Sequence, residues 1–199
     1  RDGDLVLMDF APDYHYQTAD VTRMWPVNGK WSRWQRELYG FYMRGYQGII
    51  KNIRPGVPVT EIIAAASREW EAALAETKWS EEKYRQAAER FVAQYQQSRS
   101  LGHWTGMAVH DVGGRAERLQ PGMVFTIEPQ FRVPEDEIYI RLEDMLLVTA
   151  NGVENLSAAL PMEMTAIEKV IAQRGLLESY PRHLPHDTVR PHKTGSGGR

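Results

Sequence analysis

Four carboxylates of this chain stand on or beside short apolar runs. Alternation along the expected strand Leu5–Phe10 puts Leu5, Leu7 and Asp9 on one face and Val6, Met8 and Phe10 on the other. Asp9 is then a carboxylate among apolar neighbours at the end of a buried strand. Asp20 lies on the returning strand, and a hairpin brings the two aspartates together. Over residues 138–143, Ile138, Ile140 and Leu142 form an apolar face, and Tyr139, Arg141 and Glu143 a polar one. Glu128 ends the expected strand 124–128 in the same way. An unpaired charge in such places costs several kcal/mol, so cations must compensate. Arg23 and Arg141 lie on the same strands and are one answer. Two divalent cations are another, and oxygen ligands with a histidine suit manganese, cobalt or zinc. The candidate imidazoles are His103 and His110. One histidine added to four carboxylates makes a dinuclear hydrolytic site, in which a bridging hydroxide attacks a carbonyl carbon. Each part alone has a plainer reading: a turn cap for the aspartate pair, a hydrogen-bonded core residue for a lone histidine, a structural ion pair for Arg141 with Glu143. The ordered joint occurrence on apolar strands favours the metal.

The elements that must position these residues follow from periodicity. After the first strand comes a polar turn over residues 11–18 and a second strand over residues 19–25. Asn28-Gly29 marks a loop, and Ser32 with Gln35 three positions on forms a capping box. Trp34, Leu38, Phe41, Tyr42, Ile49, Ile50 and Ile53 give the helix that follows one apolar stripe, ended by Pro55-Gly56. Thr60 is the expected cap of a second helix carrying Ile62, Ile63, Ala66, Trp70 and Leu74. Ser80 is the expected cap of a third carrying Tyr84, Ala88, Phe91 and Tyr95. Beyond Ser100 the pattern turns to short strands, near residues 106–110, 124–128, 138–143 and 145–148. Thr165 and Glu168 read as a capping box opening a last helix that reaches Leu177. Strands, then helices, then strands make the fold class α+β.

Composition bounds the function. A chain of 199 residues with 42% hydrophobic residues has the make-up of a globular domain, and such a length buries ~70% of its unfolded surface. Balanced charge, 24 Lys+Arg against 26 Asp+Glu, argues against a nucleic-acid partner. No apolar run approaches the ~18 residues of a membrane span. The absence of cysteine excludes disulfides, thiolate zinc sites and cysteine nucleophiles. Localisation stays open, with a cytoplasmic placement slightly favoured over export.

Asp9, Asp20, His103, Glu128 and Glu143 resemble the five metal ligands of the pita-bread metallopeptidases, in the branch holding aminopeptidase P and prolidase. The resemblance is carried by LVLMDF, ADVTRMWPVNGKW, GHWTGMAVHDVGG, LQPGMVFTIEP and YIRLEDMLLVT, and it covers residues 1–177. The spacing of the two aspartates and of the two histidines agrees with the family pattern. TRMWPVNGK, and an arginine two residues before Glu143, look more like aminopeptidase P or prolidase than methionine aminopeptidase. The resemblance implies that Asp9 chelates one metal, that Asp20 and Glu143 bridge two, and that His103 and Glu128 complete the shell of the other. It implies that His110 donates to the developing oxyanion and that Arg141 holds the ligand geometry from outside. The implied cofactors are two divalent ions, manganese foremost, with cobalt or zinc as substitutes. The implied reaction is hydrolysis of the Xaa-Pro bond of a peptide with proline at its second position.

The chain also departs from the pattern. Asp9 is followed by Phe10-Ala11-Pro12 where a small Ala-Gly pair is usual, and Arg99-Ser100 replace a His-Gly. Gln130 and Arg132 stand where a glycine and a tyrosine are usual. Losing a histidine and a tyrosine while gaining two arginines shifts preference toward an acidic or C-terminal carboxylate group. The family's upstream catalytic histidine and opening elements have no counterpart before Arg1. The expectation is therefore the C-terminal part of the catalytic domain over residues 1–177, a flexible tail over 178–199, and a homo-oligomer or a separate N-terminal chain completing the pocket. The alternative is a pita-bread domain that binds peptide or protein without hydrolysis. The intact ligand set favours the enzyme.

Overall fold

The longest helix begins where the capping box puts it. The Gln35 side chain accepts from Ser32 N at 2.8 Å and Gln35 N points to Ser32 Oγ at 3.5 Å, opening α1, Arg33–Asn52. The computed structural model describes residues 1–175. Glycine spacing on α1 lets a second helix, α2 (Val59–Glu76), lie close: a Cβ on Gly45 would fall 2.1 Å from the Trp70 ring. With α3 (Glu82–Gln96) these helices enclose an aromatic core. Trp70 meets Phe91 and Tyr95 edge-on at 4.8 and 4.6 Å between centroids, a favoured geometry for aromatic pairs.

The strands lie against this helical layer. β1 (Leu5–Phe10) pairs antiparallel with β4 (Val21–Pro26). Between them residues 11–18 carry a small hairpin of β2 (Asp13–Tyr14) and β3 (Gln17–Thr18), where the sequence pattern gave only a turn. Its two tip residues, His15 and Tyr16, adopt positive φ, as a type I′ connection requires. Further along, β5 (Val124–Ile127), β8 (Asp144–Val148) and β9 (Val153–Asn155) form an antiparallel sheet in the order β5-β8-β9. β6 (Phe131–Val133) pairs with β7 (Ile138–Ile140). Phe131, Val133 and Ile140 are buried, and Phe131 packs on Phe41 and Phe91 at 5.4 and 5.3 Å. The strands therefore turn their other face away from the helices. A single bridge between Thr22 and Glu143 ties β4 to the start of β8.

Local signals failed where tertiary partners outbid them. Pro58, not Thr60, stands at the N-cap of α2, since Val59 is buried and its N–H bonds to Glu117 O at 3.0 Å. Ser80 donates its N–H and hydroxyl to Glu37, at 2.8 and 2.7 Å, and leaves the cap of α3 to Glu81. Glu168 accepts from Trp31 N at 3.0 Å and from Arg36 at 2.7 Å. The last helix, α4 (Met164–Ile171), accordingly caps at Glu163 without a side-chain bond and stops short of Leu177. Residues 106–110 are a bent loop rather than a strand, because the Asp111 carboxylate collects the N–H groups of Met107 and Val112. The expected boundary after residue 177 and the tail lie outside the described residues. Among the described residues no helix is long and apolar enough to cross a membrane.

Candidate metal centre

Register fixes the first part of the cluster. Asp9 stands opposite Thr22 across β1 and β4. The Thr22 hydroxyl lies 2.7 Å from Asp9 Oδ1 and 3.0 Å from Glu143 Oε2, and it accepts from Arg141 Nη2 at 2.9 Å. Glu143 reaches this position through its bridge, with Glu143 N donating to Thr22 O at 3.1 Å. Close packing fixes the second part. A Cβ on Gly102 would sit 2.0 Å from Thr126 O, so glycine there lets the next residue lie against β5. His103 N then bonds to Thr126 Oγ1 at 3.2 Å, and Thr126 N to His103 O at 2.8 Å.

These constraints aim His103 Nε2 at three carboxylates: Asp20 at 3.4 Å, Glu128 at 3.3 Å and Glu143 at 3.4 Å. His103 Nδ1 lies 3.1 Å from Trp104 O. An Nδ1 proton donated to that carbonyl leaves the Nε2 lone pair facing the oxygens, the arrangement by which proteins orient a ligating imidazole. Among the described residues neither Nε2 nor the buried Glu143 Oε1 has a hydrogen-bond partner. Three overlapping groups have potential ligand atoms within 4.8 Å of one another: Asp9, Asp20 and Glu143; His103, Glu128 and Glu143; and Asp20, His103 and His110. All five expected ligands are thus in one place, and the His110 ring lies beside His103 at 4.1 Å between centroids, tilted by 54°. The donor set, carboxylate oxygens with imidazole nitrogen, suits a divalent transition metal.

Charge points the same way. Arg141 bonds to Asp9, to Glu128 Oε2 at 3.0 Å and to the Thr22 hydroxyl, and lies 3.8 Å from Glu143. One guanidinium against four carboxylates leaves the cluster short of positive charge. Burial first, then the charges of Glu128 and Asp20, pushes Glu143 up to about 7. Burial and the neighbouring Asp9 raise Asp20 above the usual carboxylate range. Burial works to lower Arg141, but Asp9, Tyr139 and Glu143 hold it above the ordinary guanidinium value.

Two expectations need correcting. Asp9 is not on a buried strand: its side chain is 42% exposed, because β1 pairs only with β4 among the described residues. Arg23 does not serve the cluster. Its Nη2 pairs with buried Asp144 at 2.5 Å, and its Nη1 donates to the carbonyls of Thr22 and Glu143 at 2.9 and 2.8 Å. Thr22, Asp144 and Tyr42 were missed. Thr22 follows Asp20 at strand period, and Asp144 interrupts an apolar run, so both left a legible signal. Tyr42, whose hydroxyl donates to Pro129 O at 2.7 Å and accepts from Leu142 N at 3.0 Å, read only as core. A cleft of about 630 Å³ opens onto His103, His110 and Glu128, walled by Tyr95, Gln94 and Gln130 among others.

Helices backing short antiparallel strands, with carboxylates and imidazoles gathered on one side, describe an α+β protein built around an acidic, histidine-bearing centre. The sequence profile of Metallopeptidase family M24 matches residues 1–150, and the chain belongs to that family. It is 34% identical over 187 residues to the Xaa-Pro aminopeptidase of Escherichia coli K12, covering 86% of this chain and 42% of that one. Xaa-Pro aminopeptidase 1 of Streptomyces coelicolor is 35% identical over 188 residues, covering 86% and 38%. Zinc-substituted E. coli aminopeptidase P in complex with product superposes with a TM-score of 0.70 at 34% identity, covering 88% of this chain and 43% of that one. The fold is thus the pita-bread type expected from the sequence, and the chain spans about two fifths of the length of the relatives it matches.

Proposed function

We propose that Asp9, Asp20, His103, Glu128 and Glu143 hold two divalent ions, manganese foremost, and that the protein hydrolyses Xaa-Pro peptide bonds. The observation that carries this reading is the pair of orphaned atoms: His103 Nε2 and Glu143 Oε1 are buried 3.4 Å apart without a hydrogen-bond partner among the described residues. A buried polar group without a partner costs about 1–3 kcal/mol, and two at one point call for a shared cation. When bound, the ions supply Lewis acidity and activate water near neutral pH.

The chain's own residues do the rest. The Trp104 carbonyl holds the His103 ring in the orientation that presents Nε2. Arg141 clasps Asp9 and Glu128 and keeps their carboxylates turned inward. His110, exposed at the cleft, donates a hydrogen bond to the carbonyl oxygen as negative charge develops there. The cleft takes the peptide with its N-terminal residue and proline beside the cluster. Met8 and Phe10 of β1 and Tyr14 and Tyr16 of the β2–β3 hairpin stand exposed, the last two 77% and 80% so. This apolar surface supports completion of the pocket by a further polypeptide segment or by a second copy. The family match over residues 1–150 supports reading residues 1–177 as the C-terminal part of a catalytic domain.

Elemental analysis after manganese loading and gel filtration should find about two ions per chain, as in other two-metal hydrolases. Protein that stays metal-free in excess manganese would sink the reading. Metal uptake without release of the N-terminal residue from an Ala-Pro peptide would keep the metal site and remove the peptidase.

A further inference from the structure

Beside the carboxylate cluster lies a cation without a carboxylate partner among the described residues. β6 and β7 pair with Arg132 opposite Tyr139 and Phe131 opposite Ile140. Phe131, Val133 and Ile140 are buried against the helices, so Gln130, Arg132 and Tyr139 take the opposite face. Glu128 and Arg141 lie near that face, since the Tyr139 phenol feels the charges of Arg141, Arg132, Glu128 and Asp9 together.

Arg132 is held in place there. Its guanidinium lies 4.2 Å over the Tyr139 ring, and Nη2 donates to Gln130 Oε1 at 3.3 Å. Gln130 in turn lines the cleft that opens onto His103, His110 and Glu128. Two acids of the following turn, Glu135 and Asp136, are engaged by Arg90 and Lys83 instead. Stacking on a ring fixes the plane of a guanidinium and leaves its in-plane N–H groups for a planar anion.

We propose that Arg132 reads a carboxylate on the peptide held in the cleft. The sources are the C-terminal carboxylate of a short peptide and the side chain of an acidic residue after the proline. The assignment rests on the peptidase reading above and deepens it. The four residues from Glu128 to Arg132 span at most about 13 Å, and the arginine side chain reaches back over roughly half of that. An extended substrate advances about 3.3–3.6 Å per residue. The carboxylate therefore falls about two residues beyond the scissile bond, which is the third residue of an Xaa-Pro peptide.

Three peptides separate the sources: Ala-Pro-Gln amide, Ala-Pro-Gln free acid and Ala-Pro-Glu amide. Their binding to the manganese-loaded full chain is followed by stopped-flow tryptophan fluorescence, ahead of any turnover, with hydrolysis measured separately. One or both carboxylate peptides should bind roughly three- to tenfold more tightly than the neutral amide, a preference that shrinks with added salt. Arg132→Gln should bring the ratio close to one. Preference for the free acid alone assigns the C-terminus, and for the glutamyl amide alone the acidic side chain. Equal affinities in the unaltered chain, no binding of any peptide, or a preference that Arg132→Gln retains overturns the proposal. Carboxylate preference without hydrolysis keeps the Arg132 assignment and removes the peptidase reading, and hydrolysis of all three without preference does the reverse.

Discussion

Glu143, one of the proposed ligands, shows what it costs to bury a carboxylate among other carboxylates. Its side chain is 1% exposed, beside Glu128 and Asp20, and its carboxyl is pushed up to about 7. A raised carboxyl means that the folded, metal-free state binds more protons than the unfolded chain between pH 4.5 and about 7. Folding stability of the metal-free protein therefore falls as pH rises through that window. Glu143→Gln removes the ionisation, so the metal-free variant should melt higher at neutral pH, by about 2–4 °C for each kcal/mol of repulsion relieved. Its melting temperature should also be flatter between pH 5 and 7 than that of the unaltered protein. The same variant should lose manganese affinity, read by isothermal titration. A metal-free Glu143→Gln that melts lower at neutral pH would show that the carboxylate is not strained by its neighbours. Strand period made these acids legible in the sequence. It did not reveal that Asp9 stays half in water, since exposure is set by what covers a strand.

At the scale of elements, the site depends on a clamp from the helical layer. The Tyr42 hydroxyl of α1 bonds to Pro129 O and Leu142 N, the immediate neighbours of Glu128 and Glu143. Tyr42→Phe keeps the ring and strands both backbone groups, so denaturant unfolding should show a loss of about 1–3 kcal/mol. Manganese affinity should fall as well, because the two segments that carry the proposed ligands lose their common anchor. Unchanged affinity would confine Tyr42 to the core. The helix periodicity around Tyr42 could be read without a structure, and the stripe of Leu38, Phe41 and Ile49 is buried as expected. Its hydroxyl could not, because its partners lie 87 and 100 residues away. The capping signals divide in the same way. Ser32 caps locally with Gln35, whereas Ser80 and Glu168 are drawn off by Glu37 and Trp31. Local motifs hold where no distant group competes for the same atoms.

Across the whole molecule, stability is uneven. The aromatic core joins α1, α2 and α3, while among the described residues β1 pairs with β4 alone and the loop around His110 runs exposed. Few buried contacts mean low protection, so amide exchange should be fastest in β1, the β2–β3 hairpin and the loop around His110. Manganese should slow exchange in β1, β4 and residues 101–112, leaving α2 and α3 unchanged. Uniform slowing would point to global stabilisation, and no slowing would separate these segments from the metal. The Thr22–Glu143 bridge has a kinetic counterpart. It joins residues 121 apart in sequence, and closing so long a loop carries an entropy penalty that contacts within and between neighbouring helices avoid. The helices can assemble early, but the cage of ligands exists only once the last strands have docked. On the proposed ligand set, metal added to a refolding chain should be captured at the finish, with its uptake timing the end of folding rather than starting it.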